Sequence, residues 1–365
     1  MRETVLEIDL QRLQHNLEVF KKQVPPNTRI LANLKGNAYG IGALAVGRFL
    51  EKQNVDYFSV AYINEGIELR KEAIQTKILV FNPSSDAFQA LIDYKLEPEV
   101  CSIFYLEKLL TFLEKNKIYN FPIHIKLDTG MHRAGIETAQ LDDLVFLLKD
   151  QKWVQVQSVF SHLAVAEDPD EDVFTRRQID LFLEMTQLLK ARLKVDFFRH
   201  ILNTAGIFRF PEAAFDMIRP GLGLFGYNLV KDKQKILRPI AALKTKICQI
   251  KNIKKGETVG YSRNFTAKQA TQIALLPIGY ADGLSRKLGQ EHYHVRLKNK
   301  LVPIVGNISM DTISINVSGI DCQPGDEVVV INNEDNVYKI ANLLGTISYE
   351  VITNISCRVI RKVKS

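Results

Sequence analysis

Ile30-Leu31-Ala32-Asn33-Leu34-Lys35-Gly36-Asn37-Ala38-Tyr39-Gly40-Ile41-Gly42 is the stretch on which the fold turns. Its first half is an apolar run that reads as a buried β-strand. Its second half is a Gly/Asn/Tyr turn, and no G-x-G-x-x-G follows the strand as it would in an open dinucleotide-binding sheet. Between the two stands Lys35. A strand that delivers a lysine into such a turn puts an amine where desolvation lowers its pKa, which is what a Schiff-base lysine needs. Tyr39 reaches the same pocket. Alone, this lysine reads as a surface residue after a buried strand; the rest of the chain decides against that.

Downstream, strand-like and helical segments alternate. Strand patterns at Tyr57–Ala61, Lys77–Phe81, Glu97–Val100, Pro122–Leu127, Val154–Phe160, Phe198–Leu202 and Met217–Ile218 are interleaved with helical ones. The helical patterns fall at Ala43–Gln53, Asn64–Lys71, Asp86–Asp93, Leu106–Lys115 and Asp172–Leu193. With the Ile30 run these make eight strands, which predicts an N-terminal α/β domain of the (β/α)8 barrel type. From Ile240 the pattern changes to short β-type runs broken by Gly, Pro and Asn, at Leu243–Ile250, Ile273–Pro277, Val302–Val305, Ile313–Val317 and Glu327–Ile331, with a brief helix at Tyr338–Leu344. The expected organisation is a barrel over residues 1–233 and a mostly β C-terminal domain over 234–365, joined through the polar Val230–Lys235.

Composition narrows the function. A chain of 365 residues with 46% hydrophobic and 24% charged residues is ordinary for a globular enzyme. The net charge of +7 is spread along the chain, and clusters such as Lys251-Asn252-Ile253-Lys254-Lys255 lack aromatic interleaving, so nucleic acid is not an expected partner. Four cysteines without C-x-x-C spacing point to neither zinc nor a disulfide scaffold and suit a reducing cytoplasm. The acidic N-terminal stretch is no signal peptide, and no apolar run is long enough to span a bilayer. The expected location is cytoplasmic, with no membrane partner.

In a barrel of this type the active site lies at the carboxyl ends of the strands, where the distinctive polar residues fall. Lys35 ends the first strand; Lys126, Asp128 and Arg133 follow a middle one; His162 closes the next; Asn203 and Thr204 end another; Arg219 and Gly221 close the last. Each has a bland reading singly, as a core histidine, a loop cation or a turn former. Together they ring one mouth with Lys, Arg, His and a hydroxyl, and a glycine-bearing turn suits phosphate because backbone N–H groups can point at it. The residues therefore point to a phosphorylated carbonyl cofactor held by a lysine, for which pyridoxal phosphate is the obvious candidate.

Seven ordered motifs then make the chain resemble the alanine racemases, fold-type III pyridoxal-phosphate enzymes. They are Lys35-Gly36-Asn37-Ala38-Tyr39-Gly40, Leu127-Asp128-Thr129-Gly130-Met131, Ile218-Arg219-Pro220-Gly221, Val259-Gly260-Tyr261, Ile278-Gly279-Tyr280-Ala281-Asp282-Gly283, Gly306-Asn307-Ile308-Ser309-Met310-Asp311 and Ile347-Ser348-Tyr349-Glu350. The resemblance implies a head-to-tail homodimer whose active sites are shared, and an amino-acid substrate racemised by two bases. It implies that Lys35 holds pyridoxal 5'-phosphate and acts as one base, with Tyr261 of the second subunit as the other. It places Arg133 and Met310 at the substrate carboxylate and Arg219 at the pyridine nitrogen. It puts His162 beside the tyrosine in the cofactor site, and Tyr39, Thr204, Gly221, Leu222 and Tyr349 at the phosphate. Lys126 sits where some members carry a carbamylated lysine that orients the arginine, and Asp311 lies in the same segment as Met310 in a supporting position. These roles are chemically coherent, since racemisation takes the α-proton from one face and returns it to the other.

Some positions depart from the family pattern. Gly36 stands for the usual alanine and is expected to loosen the backbone beside Lys35. Ile41 removes a polar group near the cofactor loop and Thr204 keeps the hydroxyl of the usual serine, while His132 and Ser309 differ near the entrance or carboxylate side and keep a larger substrate such as serine as an alternative. A decarboxylase of the same fold and a non-enzymatic pyridoxal-phosphate carrier are the other readings. Tyr261 in its Val-Gly-Tyr turn and the complete second domain favour the racemase.

Overall fold

The computed structural model describes residues 3–332 and 336–364. The chain forms two compact units, one of Gln14–Ala38 and Ala43–Leu237, the other of Met1–Leu13, Tyr39–Gly42 and Arg238–Ser365. The chain thus opens with strand β1 (Val5–Ile8) in the second unit.

The first unit is the barrel. Its strands are β2 (Arg29–Asn33), β3 (Tyr57–Val60), β4 (Lys77–Val80), β5 (Glu97–Val100), β6 (Phe121–Lys126), β7 (Val154–Phe160), β8 (Phe198–His200) and β9 (Met217–Ile218). They pair in parallel in the order β8-β7-β6-β5-β4-β3-β2-β9. Two backbone bonds tie β8 to β9: Asp216 N–H donates to Arg199 O (3.1 Å) and Arg219 N–H to Leu202 O (3.1 Å). Parallel strands covered on both faces read as nearly continuous apolar runs, and Tyr57–Val60 is buried at every position. Leu31, Tyr57, Leu79, Phe160 and Met217 form one cluster contributed by five of these strands, a filled barrel interior rather than a pore. The helices include Ala43–Lys52, Ile63–Lys71, Phe88–Asp93, Ile103–Lys115 and the long Asp172–Leu193. Helices Leu10–Gln23 and Leu141–Leu148 were not expected from the sequence.

The second unit is mostly β. Its other strands are β10 (Ala241–Lys246), β11 (Gln249–Ile253), β12 (Thr258–Val259), β13 (Phe265–Thr266), β14 (Thr271–Leu276), β15 (His294–Leu297), β16 (Lys300–Val305), β17 (Ile313–Asn316), β18 (Glu327–Ile331) and β19 (Ile360–Val363). A nine-stranded sheet runs β11-β14-β17-β16-β15-β18-β10-β1-β19, and β12 with β13 forms a separate hairpin. The sequence-based boundary at 233/234 assigns the N-terminal residues to the barrel. In the structure β1 lies instead between β10, antiparallel, and β19, parallel. The reason is its alternating burial, half-exposed Val5 and Glu7 against buried Leu6 and Ile8, which suits a sheet with one covered face. The polar segment expected as a linker carries a 3₁₀ turn at Lys231–Ile236, and the change of unit falls at Leu237/Arg238.

Candidate active site

Lys35 follows β2 and opens a turn of unusual handedness. Gly36, Asn37, Ala38 and Tyr39 have φ of 60°, 54°, 52° and 55°, one turn of left-handed helix. Left-handed backbone costs roughly 1–2 kcal/mol per non-glycine residue, so the turn must be held. Ala38 N–H donates to Leu34 O (2.7 Å) and Ala43 N–H to Asn37 Oδ1 (2.8 Å). Glu65, in the first turn of Ile63–Lys71, accepts from Gly36 N–H (2.6 Å) through one oxygen and from Ala61 and Tyr62 N–H through the other. Gly36 N–H is thus bonded to the helix Ile63–Lys71, and its φ of 60° is one that glycine adopts without strain. The turn leaves Lys35 mostly buried, and desolvation lowers its amine pKa; the charges of Arg133 and Lys126 lower it further, against the opposing pull of Glu65 and Glu99.

The strand-end residues of the barrel gather around one buried guanidinium. Arg219 Nη1 donates to His200 Nδ1 (2.6 Å), and Nη2 donates to Ser161 O (2.6 Å), Ile201 O (3.1 Å) and His162 Nδ1 (3.2 Å). Burial pulls the Arg219 pKa down to about 9, with Glu99 opposing, so it stays a cation at neutral pH. Burial also drives the His162 pKa far down, assisted by Arg219, Arg133, Lys126 and Lys35, and the imidazole is neutral. The centre is cationic, with Glu99 as the carboxylate inside it. Glu99, only 1% exposed, approaches Lys126 Nζ at 3.4 Å through Oε1, while Oε2 has no protein partner. Burial raises the Glu99 carboxyl to about 7 against the attraction of Lys126, Arg219 and Arg133.

Thr204 opens the short helix Thr204–Arg209, and its Oγ1 accepts from Gly221 N–H (3.1 Å) and Gly223 N–H (3.3 Å). This ties the turn at Gly221 and Leu222 to the end of β8. Gly223 is required by close approach: a Cβ there would lie 2.4 Å from Phe20 Cζ and 2.7 Å from Thr204 Cγ2.

The other expected site residues lie in the second unit, in two groups. The rings of Tyr39 and Tyr349 stand 5.8 Å apart, and burial pushes the Tyr39 phenol well above its ordinary value. Tyr261 follows β12, 74% exposed, and its carbonyl accepts from Asn307 Nδ2 (3.0 Å). Met310 is half exposed, and its carbonyl accepts from Ala281 N–H (3.1 Å). Asp311 pairs with Arg358 (2.6 Å), which also pairs with buried Asp282 (2.7 Å). Three motifs distant in sequence are thus one assembly. Gly279 fits only as glycine, since a Cβ would meet the carbonyl oxygens of Met310 and Ser309 at 2.3 Å.

Sequence reasoning missed Glu65, Glu99 and a buried polar series in the barrel: Glu97, His124, Ser158 and His200. The available signal was two carboxylates two apart in β5 and a histidine two before Lys126 in β6, each pair on one strand face.

The family model described as alanine racemase, N-terminal domain, matches residues 8–229, and that described as alanine racemase, C-terminal domain, matches 240–363. Alanine racemase 1 of Caldanaerobacter subterraneus subsp. tengcongensis is 37% identical, over 99% of this chain and 95% of that one. The solved alanine racemase of Clostridium difficile 630 superimposes with a TM-score of 0.92 at 32% identity, covering 98% of this chain and 95% of that one. The alanine racemase of Bartonella henselae, solved with covalently bound pyridoxal phosphate, gives a TM-score of 0.87 at 27% identity with both chains fully covered. With both halves matched by their models and relatives alike over the full length, the chain belongs to the alanine racemase family.

Proposed function

We propose that this protein is a pyridoxal-phosphate-dependent racemase that interconverts L-alanine and D-alanine. The observation that carries the reading is Lys35, a largely buried amine whose pKa is lowered by burial and by the charges of Arg133 and Lys126. These residues fit the cofactor: an amine to bind its carbonyl, a hydroxyl and a glycine turn for its phosphate, and a cation set to balance two anions. The Bartonella relative, with that cofactor covalently bound, supports the same assignment. When bound, pyridoxal phosphate supplies a carbonyl that captures the substrate amine and a ring that takes up the electron pair left at the α-carbon.

In this reading Lys35 Nζ, freed as the substrate amine takes its place, moves the α-proton on one face. Its lowered pKa raises the share of neutral amine, the form that can take up a proton. The Tyr261 hydroxyl moves the proton on the opposite face, contributed by a second copy in a homodimer. Arg133 and the Met310 backbone receive the substrate carboxylate, and Lys126 and Asp311 support them. Arg219 faces the pyridine nitrogen, and a guanidinium in that place does not surrender a proton readily. His162 completes the cofactor site, with Tyr39, Thr204, Gly221, Leu222 and Tyr349 at the phosphate. Among the described residues no helix is long and apolar enough to cross a membrane. A cytoplasmic enzyme supplying D-alanine for the cell wall is the role we assign.

Incubation with pyridoxal phosphate and L-alanine in heavy water tests this reading. Deuterium at Cα with equal D and L products at equilibrium is expected. Carbon dioxide release, or cofactor binding without exchange, would overturn it.

A further inference from the structure

One buried hydrogen-bond series climbs the barrel interior and ends on Arg219. Arg219 Nη1 bonds His200 Nδ1 at 2.6 Å, and His200 Nε2 lies 2.9 Å from Ser158 Oγ. Ser158 Oγ lies 2.6 Å from His124 Nδ1, and His124 Nε2 lies 2.7 Å from Glu97 Oε2. His124, Ser158 and His200 are 0% exposed, so water cannot replace any link. β5, β6, β7 and β8 each contribute one member, and Arg219 follows β9 directly. The strand register builds the slope: His124 is directly opposite Ser158, while Ser158 is opposite Phe198 and reaches His200 two residues on. Phe160 stacks on His200 at 4.9 Å with the rings nearly parallel, and Tyr57 meets His124 edge-on, so neither imidazole can turn.

We propose that Glu97, His124, Ser158 and His200 form a positioning relay for Arg219, in which the Glu97 carboxylate sets the direction of every proton. A guanidinium has donors and no acceptor; a carboxylate has acceptors and no donor. Between such ends, neutral imidazoles admit one arrangement. Arg219 donates to His200 Nδ1, so the His200 proton sits on Nε2 and goes to Ser158 Oγ. The Ser158 hydroxyl donates to His124 Nδ1, and His124 Nε2–H donates to Glu97. His200 is neutral for a physical reason, since burial and then the charge of Arg219 depress its pKa well below the ordinary value. Turning the His200–Ser158 link round would bring His200 Nδ1–H against Arg219 Nη1–H, and turning the His124–Ser158 link round would set the His124 Nε2 lone pair against the Glu97 carboxylate. The relay thus locks the guanidinium plane from behind, while the carbonyls of Ser161 and Ile201 hold it from the side. Buried polar series of this kind specify one geometry when every member is satisfied. The catalytic consequence rests on the racemase reading; the proton arrangement does not.

The test begins with protein labelled with ¹⁵N only at its seven histidines, free of cofactor. His124 and His200 are expected as neutral Nε2–H tautomers whose ring protons exchange slowly with water. Either one found as the Nδ1–H tautomer, or as imidazolium at neutral pH, overturns the relay whatever the activity. Glu97→Gln keeps the side-chain shape but can donate as well as accept, and is expected to give mixed tautomers at both histidines. Ser158→Ala cuts the series and is expected to disturb His200. In the cofactor-loaded enzyme, both variants should lower kcat by about tenfold with little change in KM, the scale of one charge-assisted hydrogen bond. Altered tautomers with unchanged kcat would overturn the positioning role. A wild type with the expected tautomers but no racemisation would instead overturn the functional reading and leave the proton arrangement standing.

Discussion

Replacing Glu99 by glutamine should flatten the way stability depends on pH. Burial raises this carboxyl from 4.5 to about 7, although Lys126, Arg219 and Arg133 pull the other way. The folded value lies above the unfolded one. What a neutral Glu99 contributes is therefore fully present below about pH 4.5 and is lost as the pH rises through about 7. At about 1.4 kcal/mol per pH unit, the loss reaches roughly 3 kcal/mol by about pH 8. Glutamine keeps the shape of the side chain and cannot ionise. The stability of the wild type minus that of Glu99→Gln should fall by roughly that amount between about pH 4.5 and pH 8. Urea unfolding of both proteins across this range, without cofactor and at one protein concentration, measures the difference directly. A difference that stays constant, or moves the other way, refutes the assignment of Glu99 as the carboxylate that burial holds near neutrality.

Gly223→Ala should destabilise the protein by about 1–3 kcal/mol, the usual cost of forcing a methyl group into a filled interior, because Phe20 and Thr204 have no room to yield; an unchanged Tm would refute the packing argument. Tyr261→Phe should bind cofactor normally and slow proton exchange from one alanine enantiomer more than from the other, read by deuterium incorporation; equal losses would undo the assignment of one base to each face. Mixing inactive Lys35→Ala and Tyr261→Phe subunits should restore part of the activity, since a mixed dimer holds one intact shared site; no recovery after proven subunit exchange would place Tyr261 outside the partner's site.

The barrel was legible because its strands are buried on both faces. Met217–Ile218 announces itself by apolar character, Val154–Phe160 by β-branched residues alternating with glutamines before an apolar end, and both have the predicted limits. β1 was not legible in the same way. Val5–Ile8 reads as a strand, but nothing local tells that its neighbours lie at Ala241–Lys246 and Ile360–Val363. Lys35 could be found because a strand end exposes it to notice. The left-handed turn after it could not: Gly36 and Asn37 tolerate positive φ, whereas Ala38 and Tyr39 carry no such mark, and the turn is held in part by the distant Glu65 on Gly36 N–H. The buried series behind Arg219 was hidden for another reason. Its members are spaced by the stagger between strands, which a linear reading does not contain.

The place of β1 also bears on how the protein is made. It leaves the ribosome ahead of both of its partners, of which one begins at Ala241 and the other at Ile360. Residues of the barrel can settle while the chain is still growing, but the nine-stranded sheet waits for Ile360–Val363. Until then Leu6 and Ile8 stay uncovered, a long-range pairing whose delay exposes the nascent chain to aggregation. Birth order and assembly order run opposite ways in this sheet, so a chain that stops before Ile360 leaves the early-made β1 with one of its two partners missing.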